Sequence, residues 1–347
     1  MNTQQIKKGY NWAFGSAILQ IVLSFGLSFV ISAAMSVVAV LTSSGSNAEE
    51  VSGDVMGAVM KNAMVITAIC YIIADLVPVL IGMAATKGQG KIRNWFSRSK
   101  LGAFDVTAAV FATLGIAMID SLLITLYTNY FGSSGVTESI SDSLFSGSTP
   151  IVIVTILYVC LIGPFLEELL FRGFILQKTA SVSPALGIVL SSVMFGMFHG
   201  DMEQVINATI MGLFFGYIAL KANSIWPTII MHIVNNSFSC ALTVLEEKMD
   251  IGETGDYIIM GVFTVIGVAA LVYILAKYKK INKTEDIIDR DNYVCPEAIE
   301  EIKRIENKKN LSTKLIFECP LFYIAFFMLI CLCVGTMLLA KLGLMMQ

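Results

Sequence analysis

The sequence predicts an all-α fold: a polytopic bundle of about nine transmembrane helices. Three observations carry that prediction. Of the 347 residues, 56% are hydrophobic and only 14% are charged, whereas a soluble domain carries roughly a quarter charged residues. The apolar residues gather into runs that can cross a hydrocarbon core about 30 Å thick, which takes about 20 helical residues. The polar loops between the runs alternate between basic and acidic.

Each element can be justified in turn. Lys7 and Lys8 precede an apolar run from Trp12 to Leu41. That run is too long for a signal-peptide core and lacks a clear small-residue cleavage site, so it reads as a retained first helix. A polar loop with Glu49, Glu50 and Asp54 leads to a second helix over about 63–86, which contains Asp75 and Pro78. Lys87, Lys91, Arg93, Arg98 and Lys100 crowd the next loop. Its Gly88 and Gly90 make no phosphate-binding motif, because no strand precedes them. The third helix, about 106–131, contains Asp120, and a Ser/Gly-rich loop with Glu138 and Asp142 follows. Helix four runs from Pro150 to about Lys178. Helix five, about 184–199, starts after Ser183 and ends on His199-Gly200. Helices six (about 204–222) and seven (about 225–246) are joined by a short turn. An acidic loop, helix eight (about 257–276), a mixed-charge polar insert and helix nine (about 315–340) complete the chain.

The resulting organisation has helices one to three over 1–149 and a motif-bearing core of helices four to seven over 150–246. Helix eight occupies 247–276, a cytoplasmic polar insert 277–314, and helix nine 315–347. Basic residues cluster at the N-terminus, at 87–100, at Arg172 and Lys178, at Lys221 and at 277–314. The positive-inside rule then puts the N-terminus in the cytoplasm of a cell-membrane protein. No basic patch points to nucleic acid. No internal repeat of the transporter kind is visible. The seven cysteines are odd in number and have no CxxC spacing, so they predict neither a disulfide framework nor a thiolate metal site.

The chemistry centres on Leu166-Glu167-Glu168-Leu169-Leu170-Phe171-Arg172-Gly173. An ionisable residue at membrane depth costs a few kcal/mol and needs a reason. Glu168 and Arg172, four apart, share a helix face and can pair. Glu167 points about 100° away and is free to face a cavity. A buried ion pair that fixes packing explains Glu168 and Arg172 but leaves Glu167 unexplained. The chain has two histidines, His199 and His232, both in apolar helices. Phe195 and His199 share one helix face, as do His232 and Asn236. At about 1.5 Å rise per residue, these groups lie near mid-membrane depth. A carboxylate, two imidazoles and an amide are the parts for hydrolysis by an activated water. Asp75 and Asp120 read either as hydrogen-bonded structural residues or as the lining of a polar cavity.

Glu167-Glu168-x-x-x-Arg172, Phe195-x-x-x-His199 and His232-x-x-x-Asn236, in that order, resemble the three motifs of the CPBP family. These are the CAAX-processing and bacteriocin-processing intramembrane proteases, also called Abi and related to Rce1-type prenyl endopeptidases. The resemblance covers about 150–246. It implies that Glu167 activates the attacking water with support from Glu168 and Arg172. By the same resemblance His199 holds or deprotonates that water, and His232 and Asn236 form the oxyanion site. It implies a membrane-associated peptide or protein as substrate. It leaves open zinc on His199, His232 and Glu167 or chemistry without a cofactor, with the metal-free route slightly favoured because His199-x-Asp201 is not a His-Glu-x-x-His zinc helix. Two other readings compete: a non-catalytic regulator or bacteriocin-immunity protein of the same fold, and a proton-coupled transporter using Glu167, Glu168, Asp75 and Asp120.

Overall fold

The computed structural model describes residues 3–43, 48–87, 91–132, 149–181, 183–249, 252–278 and 311–345. The described residues are mostly helical, with no strand among them. Apart from a one-turn helix at Ile92–Trp95, the helices in order are α1 (Thr3–Ser43), α2 (Ala48–Ala85), α3 (Ala103–Phe131) and α4 (149–179), then α5 (Pro184–Phe198), α6 (Met202–Ala222) and α7 (Trp226–Met249). They end with α8 (Gly252–Lys277), α9 (Leu311–Phe317) and α10 (Pro320–Met345). Eight of the described helices are long and apolar enough to cross a membrane, and the protein is a multi-pass membrane helix bundle. The expected fifth crossing, α5, has 15 residues, below the roughly 17 that a crossing takes.

One expectation changes at a helix end. The composition of Glu49, Glu50 and Asp54 predicts a loop, but α2 begins at Ala48 and includes them. Glu, Ala and Met are good helix formers, so polar composition alone does not stop a helix here. Most of the expected insert 277–314, together with Gly88, Gly90, Glu138 and Asp142, lies outside the described residues.

Local signals set the turns around α5 and α6. Ser183 Oγ accepts the Leu186 N–H at 3.4 Å, with Pro184 in the first turn. Asp201 Oδ2 accepts the Gln204 N–H at 3.3 Å. Such caps satisfy donors that a helix start leaves open. At its far end α6 stops on Asn223 in the left-handed region, φ 52°, a conformation that asparagine tolerates.

Helix packing separates two regions. α1, α2, α4, α5 and α10 surround a core that includes Tyr10, Phe14, Phe171, Phe174, Met194 and Phe195. Phe14 meets Phe322 of α10 edge-on at 5.2 Å. Lys7 pairs with Glu318 beside it, which holds the Glu318 carboxyl below the usual carboxylate range. On the other side α3 crosses α8 at Gly115 and Gly267. A Cβ on Gly115 would lie 2.5 Å from the Gly267 Cα, so glycine is what lets these backbones touch. Near the end of that crossing, Asp105 accepts from Tyr273 Oη (2.8 Å) and Lys277 Nζ (2.7 Å) on one oxygen. Its other oxygen accepts from Tyr278 Oη (2.8 Å) and the Gly102 N–H (3.3 Å).

Candidate active site

α4 is not one regular helix. α-Helical segments alternate with two π-helical turns, Tyr158–Ile162 and Leu169–Ile175, and the Glu pair sits in the short α segment Gly163–Glu168 between them. Pro164 accounts for the first turn. It has no N–H to donate, and the Gly163 N–H reaches back five residues to the Tyr158 carbonyl. The Val159 carbonyl thereby loses its main-chain donor. Asn236 of α7 supplies one instead, with Nδ2 2.9 Å from Val159 O. In the second turn the Leu176 N–H reaches Phe171 O, and Ser191 Oγ of α5 donates to the same carbonyl at 2.9 Å. Insertions of this kind recur at functional sites, because they re-aim side chains without ending the helix.

Glu168 and Arg172 are both buried, with Glu168 Oε1 2.9 Å from Arg172 Nη1. The same oxygen lies 3.2 Å from His232 Nδ1. The guanidinium also stacks over the Phe195 ring at 4.2 Å. Among the described residues, Arg172 Nε and Nη2 have no hydrogen-bond partner. Phe195 is the common spacer, since its ring meets His199 edge-on at 5.1 Å and His232 at 5.8 Å.

Glu167 is the carboxylate left over. Its side chain is 16% exposed, its Oε2 lies 3.7 Å from His232 Nε2, and it lines a cavity of about 580 Å³. Phe195, His199, His232 and Asn236 line the same cavity. The wall is completed by Ser121 and Thr125 of α3, Gln204 and Asn207 of α6, and Asn235, Ser239, Cys240 and Thr243 of α7.

Hydrogen bonding fixes how these groups present themselves. A carbonyl oxygen only accepts, so His199 Nδ1, 2.9 Å from Phe195 O, carries the ring proton and Nε2 faces out with its lone pair. His232 Nδ1 donates to Glu168 in the same way, so its Nε2 becomes a donor only when the ring holds both protons. Asn236 must turn Nδ2 to Val159 O, which leaves its Oδ1 for Asn235 Nδ2 at 3.4 Å. The second Nδ2 hydrogen of Asn236 remains available.

The six residues singled out in the sequence therefore divide. Glu167, His199, His232 and Asn236 face the cavity, while Glu168 and Arg172 stand behind His232. Asp75 and Asp120 are buried and are not among the cavity-lining residues. Asp75 Oδ1 takes the Gln20 amide at 3.2 Å. The π turns, the Val159 carbonyl and the wall from α3 escape a sequence reading. Pro164 inside an apolar helix is the one local signal that points to the first of them.

Zinc needs its ligand atoms converging at about 2 Å from one point. Among the described residues, no three His, Cys, Asp or Glu side chains form such a group.

The bundle thus places a Glu/Arg/His centre at the wall of a polar-lined cavity. Residues 149–238 match the sequence profile of a family described as type II CAAX prenyl endopeptidase Rce1-like. A relative from Bacillus subtilis (strain 168), described as "Putative membrane peptidase YdiL", is 33% identical over 106 residues. That alignment spans 29% of this chain and 40% of the relative. No solved structure matches the chain with significance.

Proposed function

We propose that the protein is an intramembrane endopeptidase that cleaves a membrane-associated peptide or protein with a water activated by Glu167. The carrying observation is the split between neighbours: Glu168 is sealed against Arg172 and His232, while Glu167 faces the cavity. A water held between the Glu167 carboxylate and the His199 Nε2 lone pair gives its proton to Glu167 as its oxygen attacks the peptide carbonyl. The oxyanion takes a hydrogen bond from the second Asn236 Nδ2 hydrogen and, when the ring holds both protons, from His232 Nε2–H. Glu168 supplies the counter-charge for that imidazolium. Glu167 then passes its proton to the leaving amine, which closes the proton balance. In this scheme Glu168 and Arg172 position His232 and touch no substrate. The metal-free route is part of the proposal, supported by Glu167 and His199 lining the same cavity.

The test is peptidomics of cells carrying wild-type protein against cells carrying Glu167→Ala, followed by cleavage of the peptides found in liposomes with and without a chelator. Products that need Glu167 and survive chelation support the scheme. Chelator-sensitive cleavage restored by zinc would replace it with a metal mechanism. We also propose a cytoplasmic N-terminus, from the basic 87–100 loop. A cysteine introduced at Arg93 should then escape an impermeant label applied outside intact cells.

A further inference from the structure

Cys160 and Cys240 are 80 positions apart in sequence, and their sulfurs lie 3.4 Å apart in the fold. Cys160 is buried on the first π turn of α4, and Cys240 is half-buried on α7. Cys240 shares the cavity wall with Ser239 and Thr243, polar neighbours that admit water and small polar solutes. One thiol is therefore reachable from the cavity, and the other waits directly behind it. We propose that this pair is a redox-modifiable site, closed to a disulfide by a low-molecular-weight disulfide of the glutathione class.

The steps balance. Cys240 gives its proton to cavity water, and its thiolate attacks one sulfur of the small disulfide, expelling a thiolate and leaving a mixed disulfide. Cys160 then attacks Cys240 Sγ and expels the second small thiolate, and the two expelled thiolates take up the two protons that the protein thiols release. Two protein thiols are oxidised and one small disulfide is reduced to two thiols.

The position gives the bond a consequence. Cys240 is one helical turn beyond Asn236, and Cys160 is next to Val159, whose carbonyl holds Asn236. Closing the 3.4 Å gap to a covalent bond draws α7 against α4 at this seam and moves Asn236 relative to Glu167. A misplacement of about 1 Å in such a site costs on the order of 10²-fold in rate. Oxidation is therefore a reversible off-switch. That consequence rests on the protease reading above, whereas the disulfide itself does not.

The experiment uses the full chain in liposomes, treated with oxidised glutathione, alkylated, digested and mapped by mass spectrometry. A peptide linked through residues 160 and 240 is expected, and Cys160→Ser should stop at the mixed disulfide on Cys240. Cys160 and Cys240 both remaining alkylatable after the oxidant would overturn the proposal, and this reading needs no variant to fold. In the cleavage assay, oxidised wild type should lose at least about tenfold in turnover and regain it with dithiothreitol, while Cys240→Ser should not respond to the oxidant. A mapped disulfide with unchanged turnover would overturn the switch. Reduced wild type that cleaves nothing would overturn the protease reading instead, leaving the mapped bond to decide the redox site.

Discussion

Among the described residues, the carboxylate clusters around Asp105 and around Glu168 are built on opposite lines. At the α3/α8 end, Asp105 receives four donors within 3.3 Å, from Gly102, Tyr273, Lys277 and Tyr278. Both of its oxygens are used, and the cluster borders no cavity among those described. In the centre of the bundle, Glu168 meets Arg172 and His232 through one oxygen, and two guanidinium nitrogens have no hydrogen-bond partner among the described residues. Beside it Glu167 opens onto the cavity. A buried polar group left without partners costs about 1–3 kcal/mol. The Asp105 cluster avoids that cost and works as a staple between helices. The Glu168 cluster carries it, and what it gains is an oriented imidazole at the cavity wall.

That contrast can be broken or sharpened by substitution. The largest effect belongs to Glu167→Gln, which keeps size and hydrogen bonding but removes the base. Turnover in liposomes should fall about 10²–10⁴-fold, with a melting temperature equal to or above wild type. Wild-type turnover in this variant would end the proposed mechanism.

Arg172→Ala comes next. It leaves Glu168 buried without its counter-charge, which typically costs about 3–5 kcal/mol, so folded yield in detergent should drop together with activity. A fully stable but inactive Arg172→Ala would place Arg172 on the substrate instead. Pro164→Ala is gentler and more telling. Restoring an N–H lets the helix ladder compete with Asn236 for the Val159 carbonyl. Turnover should fall about tenfold, the worth of one displaced hydrogen bond near 1.4 kcal/mol, while thermal stability holds or rises, since proline is the poorest residue in a helix interior. Loss of stability without loss of turnover would show that Pro164 serves packing alone.

The smallest effect on chemistry is expected at the staple. Asp105→Ala should lower stability by about 1–3 kcal/mol through its orphaned partners, with turnover per folded molecule unchanged. A selective loss of turnover there would mean that the two clusters are coupled.

Hydropathy and spacing along the chain determined the class of this protein, because the need to bury backbone groups inside a bilayer leaves helices as the local solution. They also carried the Glu168–Arg172 contact, since a residue and the fourth one after it meet on one turn whatever lies around them. The three motifs marked Glu167, His199, His232 and Asn236 as parts of one site. Tertiary structure alone decided what each part does with its hydrogen atoms. His232 reaches Glu168 across 64 positions and Asn236 reaches Val159 across 77, and no local periodicity encodes such distances. The missing donor of Pro164 is written in the sequence, but which side chain fills its place depends on where α7 lies. The same holds for Asp105, whose partners Tyr273, Lys277 and Tyr278 come from the far end of α8. It holds for Cys160 and Cys240, which read as isolated apolar residues until two helices bring them into contact. Packing between helices is set by the shapes of whole faces, so a carboxylate becomes a staple or a base only when those faces close.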